Sequence, residues 1–319
     1  MKNHRHSFIV SLILAVLASS FSLQTEKLDK NLERGLSSIS PADAYNTVKF
    51  LSSAECAGRL TGHEGYTRAA EWAAQKFKEW GLKPLSPKEG YLQSYPSPYT
   101  LVDKAEMTLY LKEKKGSAQE EVPLKETKLE LGKDFLPLLF SDSGDQTAEL
   151  VFAGWGICAL ELGYDDYAGL DVNGKFILCF RGTPDASDRR FEAHDHHRQR
   201  MKTAKEKGAV GLIYIYPEIN ANPNGDFIKG FTPAALSEKV ADNILKERGV
   251  SAEDLKKDLQ TYKKPLSFPL QSKISYRVSS RHFPYGVGYN VVGYVEGSDS
   301  KLKKECLVVG GHFDHCGSH

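Results

Sequence analysis

The residues best suited to chemistry lie near the end of the sequence, in the run Val308-Val309-Gly310-Gly311-His312-Phe313-Asp314-His315. The apolar residues of 305–311 predict a buried strand, and ligand sites of α/β proteins lie where strands end at their carboxyl edges. A histidine at that edge can bind a metal through one ring nitrogen while a carboxylate fixes the other nitrogen. His312 and Asp314 are two residues apart, so an extended backbone points both side chains the same way. The spacing therefore suits a metal ligand with its orienting carboxylate, although a zinc site needs three or four protein ligands.

Two further histidine groups could bind a metal. His315, Cys316 and His319 could join His312 in a compact site, but structural zinc sites usually combine ligands from paired turns or helices, so we interpret these residues as a loop. The run 194–197, His-Asp-His-His, precedes a predicted helix. Adjacent helical residues diverge by about 100° and do not converge on one ion, so we interpret this run as a solvated loop and helix start.

A glycine-bracketed loop, Ala57-Gly58-Arg59-Leu60-Thr61-Gly62, carries one arginine. Taken alone, it predicts a plain connector with a solvated arginine. The loop lies between two predicted helices, one capped by Ser40 and one covering roughly Tyr66–Trp80. Trp72 and Trp80 fall on the apolar stripe of the second helix, which predicts that both belong to the core.

The middle of the chain is rich in predicted strands. An apolar run at Phe176–Phe180, a helical pattern at Arg198–Lys207 and a second apolar run at Val210–Tyr216 predict a βαβ unit with a right-handed crossover. Ser237 is expected to cap a further helix. The charged stretch Lys256–Lys264 is expected to be a solvated face or a linker.

The beginning of the chain is typical of a secretory signal peptide. Lys2 and Arg5 precede the short apolar run Phe8–Leu17 and a group of small residues, which predicts removal of residues 1–22 and a secreted or periplasmic protein. The alternative is an uncleaved anchor, for which the apolar run is short. Lys plus Arg number 42 and Asp plus Glu 41, so no charge excess favours nucleic acid or an anionic membrane as partner. The five cysteines show no CxxC pair and no zinc-ribbon spacing, and we predict no disulfide framework.

Three stretches together resemble the dizinc exopeptidases of peptidase family M-twenty-eight, in the bacterial secreted branch with an inserted protease-associated domain. The first stretch begins at Leu51-Ser52-Ser53, continues through the glycine-bracketed loop and the helix that follows it, and ends at Gly81-Leu82-Lys83-Pro84. The second has the pattern of the protease-associated insert, and the third that of the first two sheet strands with the first metal motif. The second and third stretches comprise Glu149–Ile157, Tyr164–Tyr167, Gly174-Lys175, Lys205–Gly211, Tyr289–Gly293, Glu296–Ser298 and Gly311–His315.

The resemblance implies an α/β fold, in which an incomplete three-layer zinc-exopeptidase domain with a mixed sheet is interrupted by a mixed α/β, strand-rich protease-associated domain. After the signal peptide, residues 23–96 would form the helical part of the peptidase domain and residues 97–275 the insert. Residues 276–319 would begin the peptidase sheet with its His-x-Asp motif, after which we expect the domain to be truncated.

The resemblance also implies roles for two residues. His312 would bind one of two zinc ions, and Asp314 would be the catalytic-site carboxylate that orients it. A bridging Asp, a Glu-Glu pair with the general base, a further carboxylate and a final His would follow His319. The implied activity is metal-assisted hydrolysis of peptides by an exopeptidase, an aminopeptidase by family majority, and the 319-residue chain alone is expected to be inactive. The alternatives are a non-catalytic peptidase-like binding or scaffold protein, and a protease-associated domain that works alone as a substrate or partner module.

Overall fold

The computed structural model of the protein describes residues 29–112, 124–219 and 226–317. The chain divides after Leu51 into two units. The predicted signal peptide, residues 1–22, lies outside the described residues. Within the described ranges, no helix has both the length and the apolar character needed to cross a membrane.

The first unit contains two short helices, α1 (Lys30–Ser37) and α2 (Pro41–Leu51). The Ser40 hydroxyl accepts a hydrogen bond of 3.2 Å from the backbone N–H of Asp43, as the first-turn donors of a helix require. The helix start predicted at Ser40 is confirmed.

The second unit begins with a 3₁₀ turn at Ala54–Arg59 and the helix α3 (Glu64–Glu79). The helix confirms the prediction over Tyr66–Trp80, shifted by two residues at its start. It ends at Gly81, which has φ +77°, and the N–H of Leu82 then bonds the carbonyl of Phe77 at 3.0 Å. This left-handed glycine closes the last turn of the helix.

The prediction that both tryptophans of α3 belong to the core is wrong for Trp80, which is 65% exposed. Trp72 is half-buried. The buried side of the helix runs through Tyr66, Ala69 and Ala70 in its first half. In the last turn the half-buried Phe77 still packs edge-on against the Tyr91 ring, with centroids 6.4 Å apart, whereas Trp80, just after that turn, stays exposed.

The main sheet of the second unit has eight strands, which are β3 (Tyr99–Leu111), β4 (Lys125–Lys128), β5 (Phe135–Pro137), β6 (Gly144–Ala153), β9 (Phe176–Phe180), β10 (Gly211–Tyr216), β11 (Ala234–Ser237) and β12 (Ser267–Phe283). Their order across the sheet is β4-β3-β12-β6-β9-β10-β11-β5. The pairs β6–β9, β9–β10 and β10–β11 are parallel, and the other four are antiparallel. The sheet is therefore mixed, as predicted.

Three small sheets accompany the main one. Each has two antiparallel strands, pairing β1 with β14, β2 with β13 and β7 with β8. Their strands are β1 (Lys83–Pro84), β2 (Leu92–Pro96), β7 (Cys158–Ala159), β8 (Tyr164–Asp165), β13 (Val287–Val291) and β14 (Gly293–Tyr294), and the remaining helices are α4 (His197–Glu206), α5 (Glu238–Leu245) and α6 (Ala252–Tyr262).

The predicted βαβ unit is confirmed as β9, α4 and β10. Its strands pair in parallel with Phe176 opposite Gly211, where a Cβ would lie 2.7 Å from the Phe176 ring. Buried clusters cover both faces of β9, which explains why its sequence is apolar without alternation. The predicted cap at Ser237 is also present, since its hydroxyl accepts from the N–H of Val240 at 3.4 Å.

The charged stretch at Lys256–Lys264 lies mostly in α6, whose Leu255 and Leu259 are buried. It is thus the solvated face of a packed helix, and the linker alternative is wrong. The longest strand, β12, passes through residue 275, where the sequence analysis places the end of the insert.

The predicted strand at 305–311 is absent from the described structure. Residues 306–317 carry no strand assignment, and Leu307, Val308 and Val309 are 91%, 82% and 89% exposed. An apolar run becomes a strand only beside another strand that bonds its backbone, and no strand among the described residues pairs with this one. The Tyr289–Gly293 stretch, for which the resemblance implies strand structure, lies in β13 and at the start of β14.

Candidate functional site

His312 and Asp314 lie next to each other at the surface. The Nδ1 atom of His312 is 3.4 Å from Oδ1 of Asp314, and the side chains are 84% and 50% exposed. This separation is longer than a normal N–H···O hydrogen bond, but it places the carboxylate on the Nδ1 side of the ring. Nε2 is therefore the ring nitrogen available to an ion, and Asp314 lies where a histidine ligand needs its orienting carboxylate.

Both side chains line a cleft of about 730 Å³. One wall comes from Leu60 and Thr61, at the end of the glycine-bracketed loop, and another from the segment 96–100 before and within β3. Functional pockets usually have this scale, with a few polar groups among apolar walls. The cleft therefore has the size of a ligand site, with His312 on its wall.

A third wall of the cleft comes from the strand-rich region and adjoins segment 96–100 at Thr100. Phe227 stacks on His282 with ring centroids 3.9 Å apart, and the Thr100 hydroxyl lies 3.0 Å from Nδ1 of His282. An ion pair between Nε of Arg198 and Oδ1 of Asp226, at 2.7 Å, completes this wall. No pattern in the sequence predicts this wall, because its residues come together only through the tertiary fold.

The described residues provide no complete zinc site. No three His, Cys, Asp or Glu side chains converge on a common point within the described ranges. His315 and Cys316 line the same cleft as His312, while His319 lies outside the described residues. The donor set fits a single histidine ligand with its carboxylate, and a zinc ion would need further ligands.

Arg59 connects the glycine-bracketed loop to the His-x-Asp motif. Its Nε donates a hydrogen bond of 2.7 Å to the backbone carbonyl of Phe313, and its side chain is partly buried. The interpretation of Arg59 as a solvated arginine in a plain connector is therefore wrong. Because 254 positions separate the two residues, no local pattern could have revealed the contact.

The His-Asp-His-His run is only partly a solvated loop. His197 is 3% exposed and packs edge-on against the Tyr214 ring, with centroids 5.1 Å apart. Burial lowers the pKa of His197 to about 4, so it is neutral at pH 7. Asp195 accepts from Nη2 of the buried Arg200 at 2.8 Å. The interpretation as a solvated loop is wrong for His197, whose side chain belongs to the packing around β10.

Solved protein structures offer a comparison for this fold. No family model matches the chain, and no curated protein matches its sequence. An aminopeptidase from Aneurinibacillus sp. strain AM-1 is 18% identical with a TM-score of 0.49, covering 82% of this chain and 49% of its own. A peptidase precursor of family M-twenty-eight from Shewanella amazonensis is 19% identical with a TM-score of 0.46, covering 80% and 50%.

A zinc aminopeptidase from Bacillus subtilis, BSAP, is 17% identical with a TM-score of 0.38, covering 81% of this chain and 47% of its own. The chain thus spans about half the length of each of these three structures. All three are peptidases by name.

Proposed function

We propose that this chain supplies part of a zinc-dependent exopeptidase, an aminopeptidase, that hydrolyses peptides outside the cytoplasm. The observation that carries the proposal is the pair of His312 and Asp314, with Nδ1 and Oδ1 at 3.4 Å on the wall of a peptide-sized cleft. The ordered sequence motifs support the class of enzyme. The signal-peptide pattern of residues 1–22 supports the location.

Each described residue has a defined part in this proposal. His312 would hold one zinc ion through Nε2, and Asp314 would fix the ring so that this nitrogen faces the ion. The bound metal would supply Lewis-acid polarisation and an acidified water, with two ions in the complete site. The walls of the cleft would hold the peptide, with Phe227 and His282 offering an aromatic surface and Arg198 a charge.

The proposed division of the chain follows the sequence motifs. Residues 23–96 would form the helical part of the peptidase domain, residues 97–275 the protease-associated insert and residues 276–319 the start of the peptidase sheet. The eight-stranded mixed sheet with its βαβ unit supplies the strand-rich body that such an insert needs. Its strand β12 would continue from the insert into the segment that leads to the motif.

We expect residues 1–319 by themselves to be inactive, because one histidine cannot hold and acidify a metal-bound water. The test measures hydrolysis of aminoacyl-4-nitroanilides by two samples. The first is the purified 319-residue chain, and the second is the protein as its host produces it, called the mature protein below. The mature protein should turn over, lose activity with a chelator and regain it with zinc. Metal-dependent turnover by the 319-residue chain would disprove the inactivity.

A pair of histidine variants sharpens this assay. His312→Ala should abolish turnover of the mature protein, whereas His196→Ala, an exposed histidine outside the cleft, should retain it. Full activity of the His312→Ala variant would contradict the assignment of the ligand. If zinc binds at His312 but no peptide substrate is hydrolysed, the protein is a peptidase-like binding protein.

A further inference from the structure

The loop before α3 contains three consecutive residues in the left-handed region. Ala57, Gly58 and Arg59 have φ of +41°, +67° and +53°. This conformation is unfavourable for residues with a Cβ, and it persists where surrounding contacts impose it. Such a turn directs successive backbone carbonyls to one side, and here the carbonyls of Gly58 and Arg59 both face the segment that follows His312.

The turn and that segment are joined by three hydrogen bonds. The N–H of His315 donates to the Arg59 carbonyl at 2.9 Å, and the N–H of Gly317 donates to the Gly58 carbonyl at 3.0 Å. Nε of Arg59 donates to the Phe313 carbonyl at 2.7 Å. The bonds fall on alternate residues, 313, 315 and 317. They flank His312 and Asp314 without engaging the two side chains that line the cleft.

An aromatic platform holds the same segment from another side. The ring of Phe313 stacks on Tyr66, with centroids 4.9 Å apart and planes within 4°. Tyr66 is 3% exposed. Its hydroxyl bonds the Tyr289 carbonyl of β13 and lies 3.4 Å from the hydroxyl of Tyr95 in β2. Three separate elements therefore fix the platform beneath Phe313.

Close backbone packing also fixes the turn Ala57–Arg59 against α3. A Cβ added to Gly65 would lie 2.3 Å from the carbonyl oxygen of Cys56. Only glycine allows the first turn of the helix to approach so closely. The turn, the helix and the ring of Tyr66 are consequently one packed unit, and the His-x-Asp segment rests on it.

From these contacts we infer that the turn Ala57–Arg59 and the Tyr66 ring form a cradle that holds the His312–Asp314 segment in this conformation before any metal binds. Arg59 is a positioning residue for His312 and Asp314, acting through Phe313. The role of these two residues rests on the proposed function, whereas the holding rests on the contacts alone. A ligand fixed in advance loses less conformational entropy when an ion binds.

The test uses the metal-free 319-residue chain in the presence of a chelator. Cys316 is half-buried beside the cradle, and Cys306 is exposed and serves as an internal reference. Arg59→Ala removes a hydrogen bond from a charged group, and such a loss should raise the rate of iodoacetamide alkylation at Cys316 roughly tenfold or more. The rate at Cys306 should stay the same, and hydrogen exchange at the amides of His315 and Gly317 should accelerate by a similar factor.

Two further arginine variants separate positioning from general stability. Arg68 also donates to a backbone carbonyl, that of Glu55 at 3.3 Å, but its bonds within the described residues go to other parts of the chain, so Arg68→Ala should leave the alkylation rate of Cys316 unchanged. Arg59→Lys keeps a cationic donor and should restore most of the protection. Alkylation of the fully buried Cys179 reports loss of the whole fold, and it should remain slow in every variant.

A second variant keeps the inference testable if Arg59→Ala does not fold. Phe313→Ala removes the stacked ring at the segment itself and should raise alkylation of Cys316 roughly threefold, since an aromatic pair adds a modest stabilisation. Wild-type rates at Cys316 in the folded Arg59→Ala or Phe313→Ala variant would overturn the inference. Because the assay contains neither metal nor substrate, failure of the proposed peptidase activity would leave its result unaffected.

Discussion

Two apolar runs have opposite surroundings in this protein. Phe176–Phe180, strand β9, lies between β6 and β10, and all five of its residues are buried. The run at 305–311 has Leu307, Val308 and Val309 at its centre, yet these three residues are more than 80% exposed. Apolar character predicts a buried strand in both cases, and among the described residues only the first run has partner strands on both edges.

The difference shows what an apolar pattern leaves undetermined. In β9, neighbouring strands satisfy the backbone, and buried side chains cover both faces. Next to the run at 305–311, Phe313 bonds Arg59 and stacks on Tyr66, where the cradle of Ala57–Arg59 and Tyr66 begins. Hydrophobic residues favour burial, but a strand forms only where another strand offers a matching edge.

The largest expected effect comes from truncating one side chain in each run. Phe176→Ala should lower the free energy of unfolding by about 3–5 kcal/mol, because it leaves a cavity in a fully buried site. Val309→Ala should change it by less than about 0.5 kcal/mol, as is usual for exposed positions. Urea denaturation of both variants measures the difference, and equal effects would break the comparison.

Two histidines, His197 in the packed region around β9 and β10 and His312 just after the exposed run, extend the comparison to its dependence on pH. His197 has a pKa lowered by burial to about 4, below the value of about 6.5 in an unfolded chain. Its neutral form is favoured on folding, so its contribution is complete above pH 6.5 and is lost as the pH falls from there through 4. We expect a loss of about 2–3 kcal/mol over this interval, which His197→Gln should remove.

The measurement is the free energy of unfolding of wild type and His197→Gln at several pH values. The exposed His312 provides the matched control, since His312→Gln should leave the wild-type profile within about 0.5 kcal/mol. A wild-type profile that is parallel to that of His197→Gln would contradict the burial argument.

The smallest expected effect concerns Trp80, an apolar residue that, like the terminal run, was predicted to be buried. At 65% exposure, Trp80→Ser should change the free energy of unfolding by less than about 0.5 kcal/mol. Tyr66, the buried aromatic residue of the same helix, should behave differently. Tyr66→Ala should lower the free energy of unfolding by about 3 kcal/mol or more. Thermal denaturation distinguishes the two, and a comparable loss at Trp80 would show that its ring is covered in solution.

Features that depend on nearby residues were predictable from the sequence. The cap at Ser40, the glycine that ends α3 and the βαβ unit around Phe176–Phe180 follow from patterns within a few tens of residues. The contact of Arg59 with Phe313 joins opposite ends of the chain, and no local pattern encodes it. The sequence could therefore identify His312 and Asp314 as candidates, but not the cradle or the wall of the cleft that Phe227 and His282 form.

The assignment of His312 as a metal ligand is tested most directly by locating zinc itself. Crystals of the mature protein grown with zinc would be measured on both sides of the zinc absorption edge. The account predicts an anomalous peak about 2.0–2.1 Å from Nε2 of His312, with Asp314 against Nδ1. Zinc bound elsewhere, with His312 uncoordinated, would contradict the proposed site.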